Sequence, residues 1–244
     1  MATAMVERQG GVVLDGVGRI LGGRTVLAGL DLELPLHGRL GIVGRSGSGK
    51  STLLSLVAGL DEPDAGRVTV AGGCALMPQR DCLLPWRSAL DNTCLPLENR
   101  GLRKAAARAK AAELFALVGL AGSERLYPAQ LSGGMRQRVA FVRTLLAEKE
   151  VLLLDEPFGA LDAITRAELQ DWLRATLAEQ PRTVLLVSHD VEEALLLCDA
   201  VAVLDGGRLT ASFEVGVDKK RPRRAIVTDP AFVELRELAL GAIE

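Results

Sequence analysis

Aromatic side chains make up only 3% of this 244-residue sequence, among them two tryptophans and one tyrosine. So sparse a set offers no platform on which nucleic-acid bases could stack. Charge of one sign is not in excess either: 29 basic against 31 acidic residues leave a formal net charge of −2. Without a basic surplus to attract a phosphate backbone, nucleic acid is not an expected partner. No apolar run approaches the roughly 18 residues that a membrane-crossing helix needs, so the chain is not expected to span a bilayer by itself. The opening MATAMVERQGGVVL places Glu7 and Arg8 where a signal peptide would need unbroken apolar sequence. Cys74, Cys82, Cys94 and Cys198 show no CxxC spacing and no histidine-rich neighbourhood. Reduced, mostly buried thiols in a cytosolic protein are therefore expected, rather than disulfides or a metal centre.

What is present is an ordinary globular balance, 48% hydrophobic and 25% charged, in a chain long enough to bury a proper core. Short apolar segments alternate with helical ones, the pattern of an α/β core with parallel strands. LDLEL (Leu30 to Leu34) alternates with period two, and RTVLAGLDLELP around it suggests an antiparallel sheet near the N-terminus. LGIV (Leu40 to Val43) reads as a buried strand, followed by a Gly-rich turn and the helix STLLSLVAGL with Gly59 as its stop. From about Arg80 to Lys149 strand signals vanish, while RKAAARAKAAELFALV and GMRQRVAFVRTLLAE read as helices. Strands return as VLLLD (from Val151), TVLLVS (from Thr183) and AVAVL (from Ala200), and DGGR after the last suits a hairpin. The tail begins with a basic run, Lys219 to Arg224, that fits either a solvated hinge or a contact with lipid headgroups. A short helix follows, with Asp229 as N-cap and Pro230 in its first position.

GRSGSGKS, Gly44 to Ser51, fits the spacing G-x-x-x-x-G-K-[ST] between a buried strand and a helix. Gly44, Gly47 and Gly49 let the backbone curl so that the N–H groups of Arg45, Ser46, Ser48 and their neighbours point inward at phosphate oxygens. The following helix, whose first turn includes Thr52, adds the partial positive charge of its N-terminus. Lys50 is placed to reach the β- and γ-phosphates and Ser51 to ligate Mg²⁺. A Gly-Ser linker would not explain a lysine at that offset. VLLLDEP then supplies Asp155 as a metal carboxylate at a strand end and Glu156 as the group that polarises water. His189 ends another buried strand, where it could sense the γ-phosphate. Ser188, His189 and Asp190 cannot form a triad, because three sequence neighbours do not converge on one atom. His37 reads as a surface loop residue.

These residues, together with LSGGMRQR (Leu131 to Arg138), resemble the ATP-binding subunits of ABC transporters across nearly the whole chain. The resemblance implies a P-loop NTPase core of mostly parallel sheet, an N-terminal antiparallel β subdomain and an inserted helical subdomain at about 81–149. The ATPase domain would occupy 1–215, with the basic segment and short helix at 216–244. ATP and Mg²⁺ are the implied ligands. Ser132, Gly133 and Gly134 match the signature sequence that contacts ATP held by the opposite subunit, although Met135 stands where glutamine is usual. Gln79 in LMPQ matches the glutamine that links metal and γ-phosphate to the helical subdomain. Asp162 in GALD matches the residue that crosses the dimer interface, Glu156 the catalytic glutamate and His189 the switch histidine. Leu21, 23 residues before Gly44, occupies the place of an aromatic that stacks on adenine, a contact worth roughly 1–3 kcal/mol.

LLPWRSALDNTCLPLENRG and DEPFGALDAITRAELQDWL look like importer ATPases of the nitrate/sulfonate/taurine type, whose relatives include carriers of pyrimidine precursors. The implied partners are a second copy arranged head to tail, integral membrane permease subunits and, indirectly, a solute-binding protein. The implied place is the cytoplasmic face of the cell membrane. Leu83, Leu84, Pro85 and Trp86 suggest a docking patch for the permease, with local packing as the other reading. ABC ATPases that act on DNA carry long coiled coils, which are absent here, and ribosomal ones join two ATPase units in one chain. A soluble ATPase of iron–sulfur cluster assembly stays open as the alternative.

Overall fold

The computed structural model describes residues 10–243. The stretch before Gly10, where a signal peptide was judged absent, lies outside them. Strands β1 (Gly10–Leu21) and β2 (Arg24–Pro35) form a long antiparallel hairpin. Along β2, Leu30 and Leu34 are buried while Asp31 and Glu33 between them are exposed, the period-two pattern expected of a half-buried strand. β3 (Arg39–Val43) runs into the Gly-rich turn and helix α1 (Lys50–Val57). The helix stops as expected: Gly59 adopts φ +68°, and the Leu60 and Gly59 amides donate to the carbonyls of Ser55 and Leu56. β4 (Ala65–Val70) then returns to the other side of β1, completing a three-stranded sheet.

The main sheet has six strands in the order β5-β6-β7-β3-β8-β9. β5 (Cys74–Met77), β6 (Val151–Asp155), β7 (Thr183–Ser188) and β8 (Ala200–Asp205) run parallel to β3, and β9 (Arg208–Glu214) closes one edge antiparallel. Every residue of β6 and β7 is buried. That explains why they read as unbroken apolar runs: a parallel strand is covered on both faces. The Asp205–Arg208 turn is the expected hairpin, with Gly206 and Gly207 both left-handed.

Between β5 and β6, three helices pack around Phe115 and Phe141: α2 (Ala89–Asn99), α3 (Lys104–Leu117) and α4 (Gly133–Leu145). Helices α5 (Ala163–Glu179) and α6 (Val191–Leu197) follow β6 and β7. The expected docking patch of Leu83, Leu84, Pro85 and Trp86 does not face outward as a whole. Trp86 is 71% exposed, but Leu83 is buried in the same core as Phe115 and packs inward rather than outward.

The basic run departs from the hinge reading. Lys219 donates to the Leu195 carbonyl, the Arg221 carbonyl accepts from Arg174 at 2.7 Å, and Arg221 pairs with Asp229 at 2.6 Å. Two helices follow, α7 (Arg223–Val227) and α8 (Pro230–Gly241), the second capped by Asp229 through the Ala231 amide. Ile226 and Phe232 are fully buried against α6 and β8. The segment is thus a docked strap: Lys219, Arg221 and Arg223 find carbonyls, carboxylates and an amide because apolar anchors fix the backbone beside them, while Lys220 and Arg224 stay exposed.

Candidate functional site

The carboxyl ends of β3, β5, β6 and β7 lie side by side, and loops leaving that edge of a parallel sheet are where such folds place a ligand. The loop after β3 needs its glycines sterically. A Cβ on Gly44 would lie 2.1 Å from the Leu204 carbonyl oxygen, and one on Gly49, at φ +105°, 2.8 Å from Leu27. Lys50 is buried, and its Nζ donates to the Gly44 and Arg45 carbonyls at 2.8 and 2.9 Å, folding the side chain over its own loop. Burial pushes the Lys50 ammonium below its usual range, while Glu156 and Asp155 pull it back. Ser46, Gly47, Gly49, Lys50, Ser51 and Thr52 line a pocket of about 190 Å³, together with Val26, Gln79 and Glu156. Ser48 turns its hydroxyl inward, and among the described residues that buried oxygen has no hydrogen-bond partner. A curled loop whose lysine and backbone line one small pocket fits a polyphosphate.

Asp155 ends β6 with only 6% of its surface exposed. Burial raises its carboxyl above the usual range, opposed by the neighbouring Ser51 hydroxyl and Lys50. A hydroxyl, a carboxylate and the side-chain oxygen available on Gln79 form an all-oxygen donor set, the chemistry that suits Mg²⁺.

Glu156 stands one residue beyond the strand at φ +48°, a left-handed backbone uncommon for a residue with a Cβ. The conformation is braced from two sides. Its N–H donates to the Val187 carbonyl at 2.9 Å, and its carbonyl accepts from Gln137 Nε2 at 2.8 Å. Gln137 Oε1 in turn accepts from the Ala160 amide at 2.8 Å. So held, the carboxylate receives Gln79 Nε2 on Oε2 at 3.2 Å, while His189 Nδ1 lies 3.2 Å from Oε1. The structure therefore brings Glu156, Gln79 and His189 together beside the pocket that the Gly-rich loop lines, with Glu156 and Gln79 in its wall. Gln137 was missed in the sequence, although a lone amide in the buried face of α4 could have pointed to it.

Other candidates lie outside this pocket. Ser132 and Gly133 are exposed and Gly134 half-buried at the start of α4, where Ser132 caps the helix through the Met135 amide. Asp162 is exposed and caps α5 through Thr165, and the backbone N–H groups facing its carboxylate hold it below the usual range. Leu21 is 42% exposed at the tip of the β1–β2 hairpin and does not line the pocket, whereas Val26 from the same hairpin does. His37 is exposed in the turn after β2.

A mostly parallel sheet with a phosphate loop, an acidic strand end and helices between β5 and β6 defines an ATP-binding cassette. The chain belongs to the ABC transporter family, whose profile matches residues 27–159. An aliphatic sulfonates import ATP-binding protein (SsuB 1) of Rhodococcus jostii is 48% identical over 219 residues, covering 87% of this chain and 86% of the relative. A formylaminopyrimidine import ATP-binding protein (ThiZ) of Halalkalibacterium halodurans is 45% identical over 190 residues, covering 77% and 76%. In three dimensions the chain resembles the dimeric ATP-binding cassette MJ0796 in a post-hydrolysis state bound to ADP and Pi. That comparison has a TM-score of 0.79 at 27% identity, over 85% of this chain and all of the other. The family resemblance and the fold class read from the motifs are borne out.

Proposed function

We propose that this chain is the ATP-hydrolysing subunit of an importer, working as a head-to-tail pair on the cytoplasmic face of the cell membrane and driving separate permease subunits fed by a solute-binding protein. The observation that carries the chemistry is the Glu156 carboxylate, set between Gln79 and His189 at the mouth of the phosphate pocket. The loop Gly44, Arg45, Ser46, Gly47, Ser48 and Gly49, with Thr52 at the helix start, cradles the phosphates, and Lys50 turns from its own carbonyls to them. Ser51, Asp155 and Gln79 would hold Mg²⁺, which when bound neutralises charge on the phosphates. Glu156 orients the attacking water and accepts its proton, while His189 and Gln79 fix the direction of that carboxylate. Ser132, Gly133 and Gly134 of a second copy close the pocket, and Asp162 crosses between copies.

In this reading residues 1–215 form the ATPase domain, with a helical insertion at about 81–149, and 216–244 the C-terminal segment. Relatives named for import favour transport over a soluble assembly ATPase, and their names support a sulfonate or pyrimidine precursor as the class of solute. Glu156→Gln tests the assignment. Nucleotide affinity should stay within about twofold while ATP turnover falls by about 10²–10⁴-fold. Near-normal hydrolysis by the variant would remove Glu156 from its role.

A further inference from the structure

The C-terminal strap reaches toward His189 through a row of polar side chains that runs from half-buried Arg223 to buried Gln170 and Glu193. Arg223, the first residue of α7, donates from Nη1 to Gln170 Oε1 at 2.7 Å and from Nη2 to Glu192 at 3.4 Å. Gln170 lies on the buried face of α5, beside the Glu193 carboxyl on α6, whose Oε1 has no hydrogen-bond partner among the described residues. Glu193 is itself buried, and its Oε2 accepts the Ser188 hydroxyl. The same Ser188 oxygen accepts the Asp190 amide at 3.0 Å, and the Asp190 carboxylate accepts the Glu193 amide at 3.2 Å. Both chain neighbours of His189 are therefore pinned to one carboxyl-bearing residue. His189 itself points out, 3.2 Å from Glu156.

We propose that Arg223, Gln170 and Glu193 form a positioning relay through which the docked strap sets the Ser188–Asp190 turn and hence the aim of His189 at Glu156. The proposal rests on the hydrolytic role of His189 given above. An acid buried against a hydroxyl is a costly way to fill space that an apolar side chain could occupy. What the acid supplies is direction: it orders the Ser188 hydroxyl, which in turn fixes the amide on the far side of His189. The strap has its own anchors in buried Ile226, the Arg221–Asp229 pair and the contact between Arg174 and the Arg221 carbonyl. Loss of the Arg223 contact therefore leaves the strap docked.

The chain has only two histidines, so the ring signals of His189 can be followed by NMR with His37 as an internal control. Arg223→Ala in the full chain should shift the His189 ring signals and leave those of His37 unchanged. It should also lower kcat for ATP about tenfold, with KM within about twofold. In a His189→Ala background the same change should cost less than about twofold, because the relay has nothing left to aim. Glu193→Ala should shift the His189 signals at least as far, and Glu193→Gln, which keeps an acceptor for Ser188, less. Should Glu193→Ala fail to fold, Arg223→Ala alone decides the matter. Unmoved His189 signals, or an equal loss of kcat in both backgrounds, would overturn the relay. Normal turnover by His189→Ala would instead bring down the reading of the site, with the ring signals still deciding the relay.

Discussion

Two glycine-rich helix starts in this molecule face opposite circumstances. At α1 Arg45, Ser46, Gly47 and Ser51 stay exposed, but Gly44 and the stretch from Ser48 to Lys50 are buried, and Glu156, Gln79 and Val26 line one pocket with the loop. At α4 the start is more open, with Gly133 at the edge of a cleft that it shares with Gln79, Arg136 and Ala160. Ser132 and Gly133 are exposed, and the hydroxyl of Ser132 does no more than cap its own helix. Similar local chemistry thus yields a furnished pocket in one place and a presenting edge in the other. A helix N-terminus is only half of a site, and the other half comes from whatever packs opposite.

The strongest attempt to break this contrast is complementation. Lys50→Ala disables the furnished pocket and Gly133→Asp the presenting edge, so each variant alone should be inactive. Mixed, they should recover roughly a quarter of wild-type turnover, because half of the dimers are mixed and each holds one intact composite site. No recovery in a mixture shown to exchange subunits would mean that the two starts serve one chain.

Behind the furnished side, burial pushes the Glu193 carboxyl up from 4.5 to about 7. Between those values the unfolded chain loses its proton while the folded one keeps it, so stability falls as pH rises and levels off above about 7. Glu193→Gln has no proton to lose in this range. Its unfolding free energy should therefore gain on the wild type across that window, by up to about 3 kcal/mol. Denaturant titrations at several pH values measure the gap, and parallel curves would show that Glu193 ionises normally.

Smaller effects sharpen the edges of the comparison. Leu21→Tyr should tighten ATP binding by at most 1–3 kcal/mol, about the worth of one stacked base. Equal affinities by titration calorimetry would show the adenine to be covered elsewhere, with Val26 the nearest candidate. Trp86→Ala should leave the basal ATPase of the separate subunit unchanged and weaken its assembly with permease. Normal assembly and transport would return Trp86 to local packing.

Much of this was legible because its chemistry is local. The curled Gly-rich loop after β3, the place of Asp155 and Glu156 at a strand end, the Asp205–Arg208 hairpin and the Asp229 cap each depend on neighbours in sequence. What escaped depends on partners far along the chain. Lys219 to Arg224 reads as a hinge or a lipid contact because the Leu195 carbonyl that receives Lys219, and the Gln170 and Glu192 that receive Arg223, lie on other elements. Leu83 sits in a run that reads as one patch, yet the chain turns there and sends it inward while Trp86 stays out. Gln137 braces Glu156 across 19 residues, a link that no spacing rule anticipates.

The left-handed backbone of Glu156 has a consequence for anyone selecting variants of this protein. A side chain in that conformation costs on the order of 1–2 kcal/mol that glycine would not incur. A library screened for thermal tolerance alone would therefore enrich Glu156→Gly, and on the role proposed for Glu156 such a winner would be a sturdier protein that no longer turns over ATP. Durability and activity compete here at a single torsion angle, so a useful screen must read both.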